Sequence, residues 1–172
     1  IDNANGSITL TTVRGGARVT TQFGAVNAQS VHGGLQVSSA NGSIRASDID
    51  GTSVLKTTFG AVVVDRMRGA VTIQSQNGEV RGAGIGGDVT VTNTFGGVKL
   101  RDVSGKLDVR NQNGAIAVGG PTKAGVCREV YLSTSFGGID MYLAGGGGYD
   151  VTASTSFGKI RSDVPILVRG TV

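Results

Sequence analysis

Glycine recurs at every ninth residue, at positions 6, 15, 24, 33, 42, 51, 60, 69, 78, 87, 96, 105 and 114. With 30 Gly in 172 residues, so unbroken a series is not chance. A fixed period marks a repeat architecture and governs how the rest of the chain is read. The residue before each glycine divides the series in two. Asn5, Phe23, Asn41, Phe59, Asn77, Phe95 and Asn113 stand 18 apart and alternate Asn with Phe. Arg14, His32, Asp50, Arg68, Gly86 and Ser104 precede the intervening glycines. A nonapeptide therefore builds an 18-residue unit, and the Asn/Phe alternation builds one of 36.

Apolar residues follow most of these glycines at offsets two and four, as in Ile8 and Leu10, Leu35 and Val37, and Leu107 and Val109. Polar residues such as Thr9, Gln36 and Asp108 lie between them. Such alternation in Val- and Ile-rich runs reads as half-buried strands. No helical stripe accompanies it, and a glycine in every nonapeptide would weaken a helix. Thr21, Ser39, Thr57, Ser75, Asn93 and Asn111 form a small polar column at the spacing of 18. Parallel coils place like on like, so these side chains are expected to satisfy one another along the axis. The predicted fold is all-β: one domain, 1–172, wound as a right-handed parallel β-helix or β-solenoid. Each 18-residue coil comprises two nonapeptide halves, and about nine coils make a rod of about 43 Å. The alternative is a coil of 36 residues and four strands, with Phe on Phe and Asn on Asn. The shorter coil is preferred because two or three inward side chains per half fill a thin interior and would leave voids in a wide one.

Regular coils are expected over 1–118 and coils with corner insertions over 119–172. Gly114 to Gly137 spans 23 residues and Gly137 to Gly158 spans 21, which places the insertions at 119–127 and 142–148. Both fall on the corner that carries Arg14, His32, Asp50 and Arg68 in earlier coils. Insertions confined to one face of a solenoid mark a candidate binding face. Arg14, His32, Asp50, Arg66, Arg68 and Arg101 are therefore the candidate binding residues. Gly6, Gly24, Gly42, Gly60, Gly78, Gly96 and Gly114 are the predicted structural corners, together with Phe23, Phe59, Phe95, Phe136 and Phe157. These five phenyl rings are expected to cover the end of the thin core; the alternative is an exposed aromatic rail for a sugar or a partner.

Other features narrow the function. Lys+Arg 16 against Asp+Glu 12 leaves +4, too mild to point to nucleic acid. One His and one Cys exclude an intrachain disulfide, a zinc finger and a multi-His metal site. Cys127 is expected to be buried; the alternative is an exposed thiol able to join two chains. No apolar run reaches the length of a membrane span, and no signal peptide is evident. The terminal stretch 163–172 reads as a further coil, so flanking sequence is expected to cover the end edges.

Calcium-binding nonapeptide rolls repeat an Asp that these corners lack, so no metal or cofactor is expected. An ice-binding face would need a regular Thr array, whereas the outward Thr here are scattered among Arg, Gln and Asp. A polysaccharide-cleaving β-helix would need two carboxylates facing each other across a cleft. Asp48, Asp50 and Asp65 instead lie beside Arg66 and Arg68, where ion-pair ladders explain them. Ser30, His32 and Asp50 share a corner but lack a nucleophile elbow and an oxyanion loop. Catalysis is not expected.

The phrases Asn-Gly-Ser-Ile and Thr-x-Phe-Gly-x-Val, with the run Tyr149–Ile160, carry a family likeness. Over nearly its whole length the chain resembles the bacterial adhesin-repeat family, solenoid domains of envelope and secreted proteins. That resemblance implies a β-solenoid without catalytic residues, located outside the cytoplasm. It also implies contact with a partner protein or an envelope polymer. End-to-end or edge self-association into a structural rod is the other expectation.

Overall fold

The computed structural model describes residues 1–120, 128–142 and 149–162. The chain alternates between two parallel nine-stranded sheets. Sheet A stacks Asp2–Asn5, Ala17–Phe23, Leu35–Asn41, Ser53–Phe59, Val71–Asn77, Val89–Phe95, Leu107–Asn113, Arg128–Phe136 and Tyr149–Phe157. Sheet B stacks Ile8–Val13, Val26–Val31, Ile44–Ile49, Val62–Met67, Val80–Ile85, Val98–Val103, Ile116–Gly119, Ile139–Tyr142 and Ile160–Ser162. No helix occurs among the described residues. Nine rungs enclose about eight turns, or about 38 Å between the first and last strands.

Register decides between the two coil lengths. Val89 lies beside Val71 and Leu107, and Val98 beside Val80 and Ile116, each 18 residues away. Phe59 consequently lies between Asn41 and Asn77. The 36-residue coil is thereby overturned. Each half-coil needs only two or three inward side chains, and Val, Ile and Leu from both sheets close the space between them.

Sheet A follows the predicted alternation. Leu35, Val37 and Ser39 face inward in one strand, and Val71, Ile73 and Ser75 in another. Sheet B departs from it. Ile44 and Ala46 are buried and so is Ile49, three residues on rather than two. The intervening residue resets the parity by adopting positive φ: Thr12 54°, Ser30 56°, Asp48 56°, Arg66 50° and Asp102 52°, with Gly84 at 63° in the same file. Left-handed backbone is disfavoured for residues with a side chain, most of all β-branched Thr. Its use brings Val13, Val31, Ile49, Met67, Ile85 and Val103 into the interior.

The small polar column is buried as expected, but its bonds run differently. Thr57 Oγ1 donates to the carbonyls of Gly42 and Phe59, at 3.3 and 3.2 Å. Asn111 Nδ2 donates to Gly96 and Gly114, both at 2.9 Å. The Thr and Asn members thus bind carbonyls at the glycine corner instead of one another, whereas Ser39 and Ser75 make no side-chain hydrogen bond among the described residues.

The Phe expectation is corrected. Phe23, Phe59, Phe95, Phe136 and Phe157 are 52, 52, 51, 51 and 67% exposed, so they do not cover the core. The small residue two positions earlier already closes the interior, and the chain then turns at the following glycine. The ring is left outside.

Candidate functional site

Two features could meet a partner: the charged corner leading from sheet B to sheet A, and the aromatic edge leading from A to B.

The charged corner is built by the 18-residue stacking. His32 Nδ1 lies 2.8 Å from Asp50 Oδ2, and Arg68 pairs with the other oxygen of the same carboxylate. In the neighbouring file Arg66 forks onto Asp48 through Nε at 2.7 Å and Nη2 at 2.9 Å, and also pairs with Asp65. The hydrogen bond from Arg66 holds the Asp48 carboxyl below its ordinary range. The hydrogen bond with His32, reinforced by Arg68, does the same for Asp50. Arg66 is correspondingly raised, chiefly through its bond to Asp48.

Ser30, His32, Asp48, Asp50, Arg66 and Arg68 border a shallow open hollow of about 490 Å³. Among the described residues no hydrogen bond joins Ser30 to the imidazole, so the corner holds a His–Asp pair without a nucleophile engaged. Its charges are largely spent on each other. No group of three or more His, Cys, Asp or Glu placed to hold a metal ion occurs among the described residues.

The predicted binding residues separate in space. His32, Asp50, Arg66 and Arg68 come together, and Arg14 occupies the rung before His32 without an ion pair among the described residues. Arg101 lies elsewhere, in the file of Asp65 and Ala83 on the outer face of sheet B. There Arg81, Lys99, Arg101 and Tyr142 rim an open depression of about 720 Å³ floored by small residues. Two of those cations are already engaged: Glu79 accepts from Arg81 at 2.6 Å and from Lys99 at 3.1 Å. The connections carrying the two insertions run from sheet B to sheet A, after Gly119 and after Tyr142. Residues 121–127, 143–148 and 163–172 lie outside the described residues, and with them most of both insertions, Cys127 and the predicted final coil.

The aromatic edge is different in character. Its file reads Asn5, Phe23, Asn41, Phe59, Asn77, Phe95, Asn113, Phe136 and Phe157. Up to Asn113, Phe occupies every second rung, an interval of about 10 Å. Phe136 and Phe157 close the file as a parallel stack, 5.2 Å between centroids and 4° between planes. The residue before each file member is Ala4, Gln22, Ala40, Thr58, Gln76, Thr94, Gln112, Ser135 or Ser156, and none is charged. Beside it, on the outer face of sheet A, Lys56, Thr58, Gln74, Gln76, Thr92 and Thr94 line a trough of about 380 Å³. The hydroxyl and amide files were overlooked in reading the sequence, although their 18-residue recurrence was available there as a signal.

The geometry defines a non-globular class of protein, a two-sheet parallel β-solenoid with corner glycines and a patterned outer edge. A family model described as Toastrack DUF4097 matches residues 1–171, and the chain belongs to that family of repeat-type domains. No curated protein and no solved structure matches it.

Proposed function

We propose that the chain is a non-catalytic adhesion or scaffold module acting outside the cytoplasm, and that it holds a partner protein or an envelope polymer along the surface of its rod. One observation carries this reading: five half-exposed phenyl rings stand in a single file on the rod's edge. Soluble proteins seldom leave large aromatics outside without a surface to meet. A rod also offers its ligand length in place of a pocket. The extracytoplasmic location rests on the likeness to adhesin-repeat domains. The charged corner supports a binding role less well, because Arg66 is paired with Asp48 and Asp65, and Arg68 with Asp50.

The test is an array of glycans and envelope polymers probed at low and moderate salt, with analytical ultracentrifugation alongside. Binding that survives moderate salt and falls in the Phe59→Asn/Phe95→Asn variant is the expected result. Binding that vanishes with salt and is indifferent to the two rings would overturn the assignment of the edge. Concentration-dependent association without any ligand would favour the self-assembling rod.

A further inference from the structure

We infer that the aromatic edge binds a neutral, extended, linear polysaccharide lying along the rod axis, its sugar rings stacked on alternate rungs. The inference rests on the surface-binding reading above and adds the chemistry of the ligand.

Three observations carry it. The first is period. Phe23, Phe59 and Phe95 recur every second rung, about 10 Å apart, with Asn41 and Asn77 between them. In an extended β-linked glycan successive rings are turned over, so the same ring face returns only at every second sugar. A phenyl ring meets that apolar face, while an amide meets the hydroxyls of the sugar in between.

The second observation is charge. The strip directly beside the file holds Gln, Thr, Ser and Ala, and the next file of sheet A carries Lys56 and Arg110 three rungs apart among Thr, Ser and Gln. Within two residues after the file's glycines only Glu79 and Lys159 are charged, and Glu79 is occupied by Arg81 and Lys99. Lys56 alone, with Arg110 already paired to Asp108, cannot match a polymer that carries charge in every repeat, whereas a neutral one needs no such complement. The third is the trough next to Phe59 and Phe95, where Lys56, Thr58, Gln74, Gln76, Thr92 and Thr94 present donors and acceptors on a shallow open floor. Hydroxyl-rich ligands are recognised by such groups around an aromatic platform.

The experiment measures affinities of the full chain for cellohexaose and chitohexaose, and for their trimers, by calorimetry. The expected result is saturable binding at least about tenfold tighter for a hexamer than for its trimer, because the hexamer presents the same face to three phenyl rings and the trimer to two. Salt should leave it unchanged. Phe59→Asn/Phe95→Asn should weaken hexamer binding about tenfold or more, whereas Arg66→Gln/Arg68→Gln should not alter it. Asn already stands at this corner on the alternate rungs, so the double variant keeps the fold, and circular dichroism checks that it does. Absence of binding to either hexamer, equal affinity for trimer and hexamer, or indifference to the two Phe substitutions would overturn the inference. The broader reading fails separately. If the double variant abolishes self-association or binding of a peptide while neither glycan binds, the edge remains a binding surface and only its ligand is wrong.

Discussion

Gly60 and Thr12 show opposite solutions to turning a narrow coil. Gly60 has φ 129°, and a Cβ built there would lie 2.4 Å from the Gly42 carbonyl oxygen of the coil beneath. No side chain fits. Gly15, in the first coil, has nothing within 4 Å of such an atom and keeps ordinary backbone. Thr12 carries a β-branched side chain at φ 54°, a conformation that disfavours it by about 1–2 kcal/mol. A thermal series over these positions should therefore spread in both directions. Gly60→Ala is expected to lower stability by about 3 kcal/mol or more, and Gly15→Ala to stay within about 0.5 kcal/mol. Thr12→Gly should raise Tm by about 2–4 °C, the relief of strain exceeding the added chain entropy. Equal shifts for Gly60→Ala and Gly15→Ala in differential scanning calorimetry would refute the corner geometry. The glycine corners were legible because only one residue type suits them. The left-handed residues were not, since Thr, Ser, Asp and Arg share no chemistry, and only the apolar file of Val13, Val31, Ile49 and Met67 betrayed them.

Within a coil, strand length and spacing were readable from period alone, and the 18-residue register from the two or three inward side chains of each half; the pairs Asp48–Arg66 and Asp50–Arg68 agree with it. Arg81 stacked on Lys99 is a like-charge contact that this register imposes. Glu79 offsets it by reaching both cations, a contact between neighbouring strands that a single-column reading does not contain. What the outer rings do was misjudged for a similar reason: parity predicts an inward Phe59, but the turn at Gly60 begins before parity can act.

The ladders also set the pH response of stability. Asp48, Asp50 and Glu79 all titrate below their ordinary values in the folded chain. Their contribution is therefore complete above the unfolded carboxylate range and is lost as pH falls through the folded values. The urea midpoint should be flat from neutral pH down to about 5 and decline below about 4. Asp48→Asn/Asp50→Asn should start lower and decline less steeply. The groups are exposed, so added salt should shrink the difference, and a midpoint that rises on acidification would contradict the assignment.

For the rod as a whole, each coil touches chiefly the coils on either side, so length is separable from fold. Removing residues 43–78 takes out 36 residues and rejoins Gly42 to Glu79 with both sheets and the Asn/Phe alternation in phase. This shortened chain should fold cooperatively with a lower Tm. Removing 43–51 alone should abolish folding, because sequence suited to sheet A would then fall where sheet B is required. Circular dichroism and size-exclusion chromatography distinguish the outcomes. Equivalent behaviour of the two deletions would mean that stacking does not depend on phase.

The almost identical exposure of Phe23, Phe59 and Phe95, at 52, 52 and 51%, makes them interchangeable contacts at equal intervals. A polymer held at two of them can advance by one interval and meet the same surroundings again. Attachment would then be persistent without being fixed in place. A long strand could creep along the protein, gaining in residence time through the number of equivalent alignments and not through the strength of any one of them.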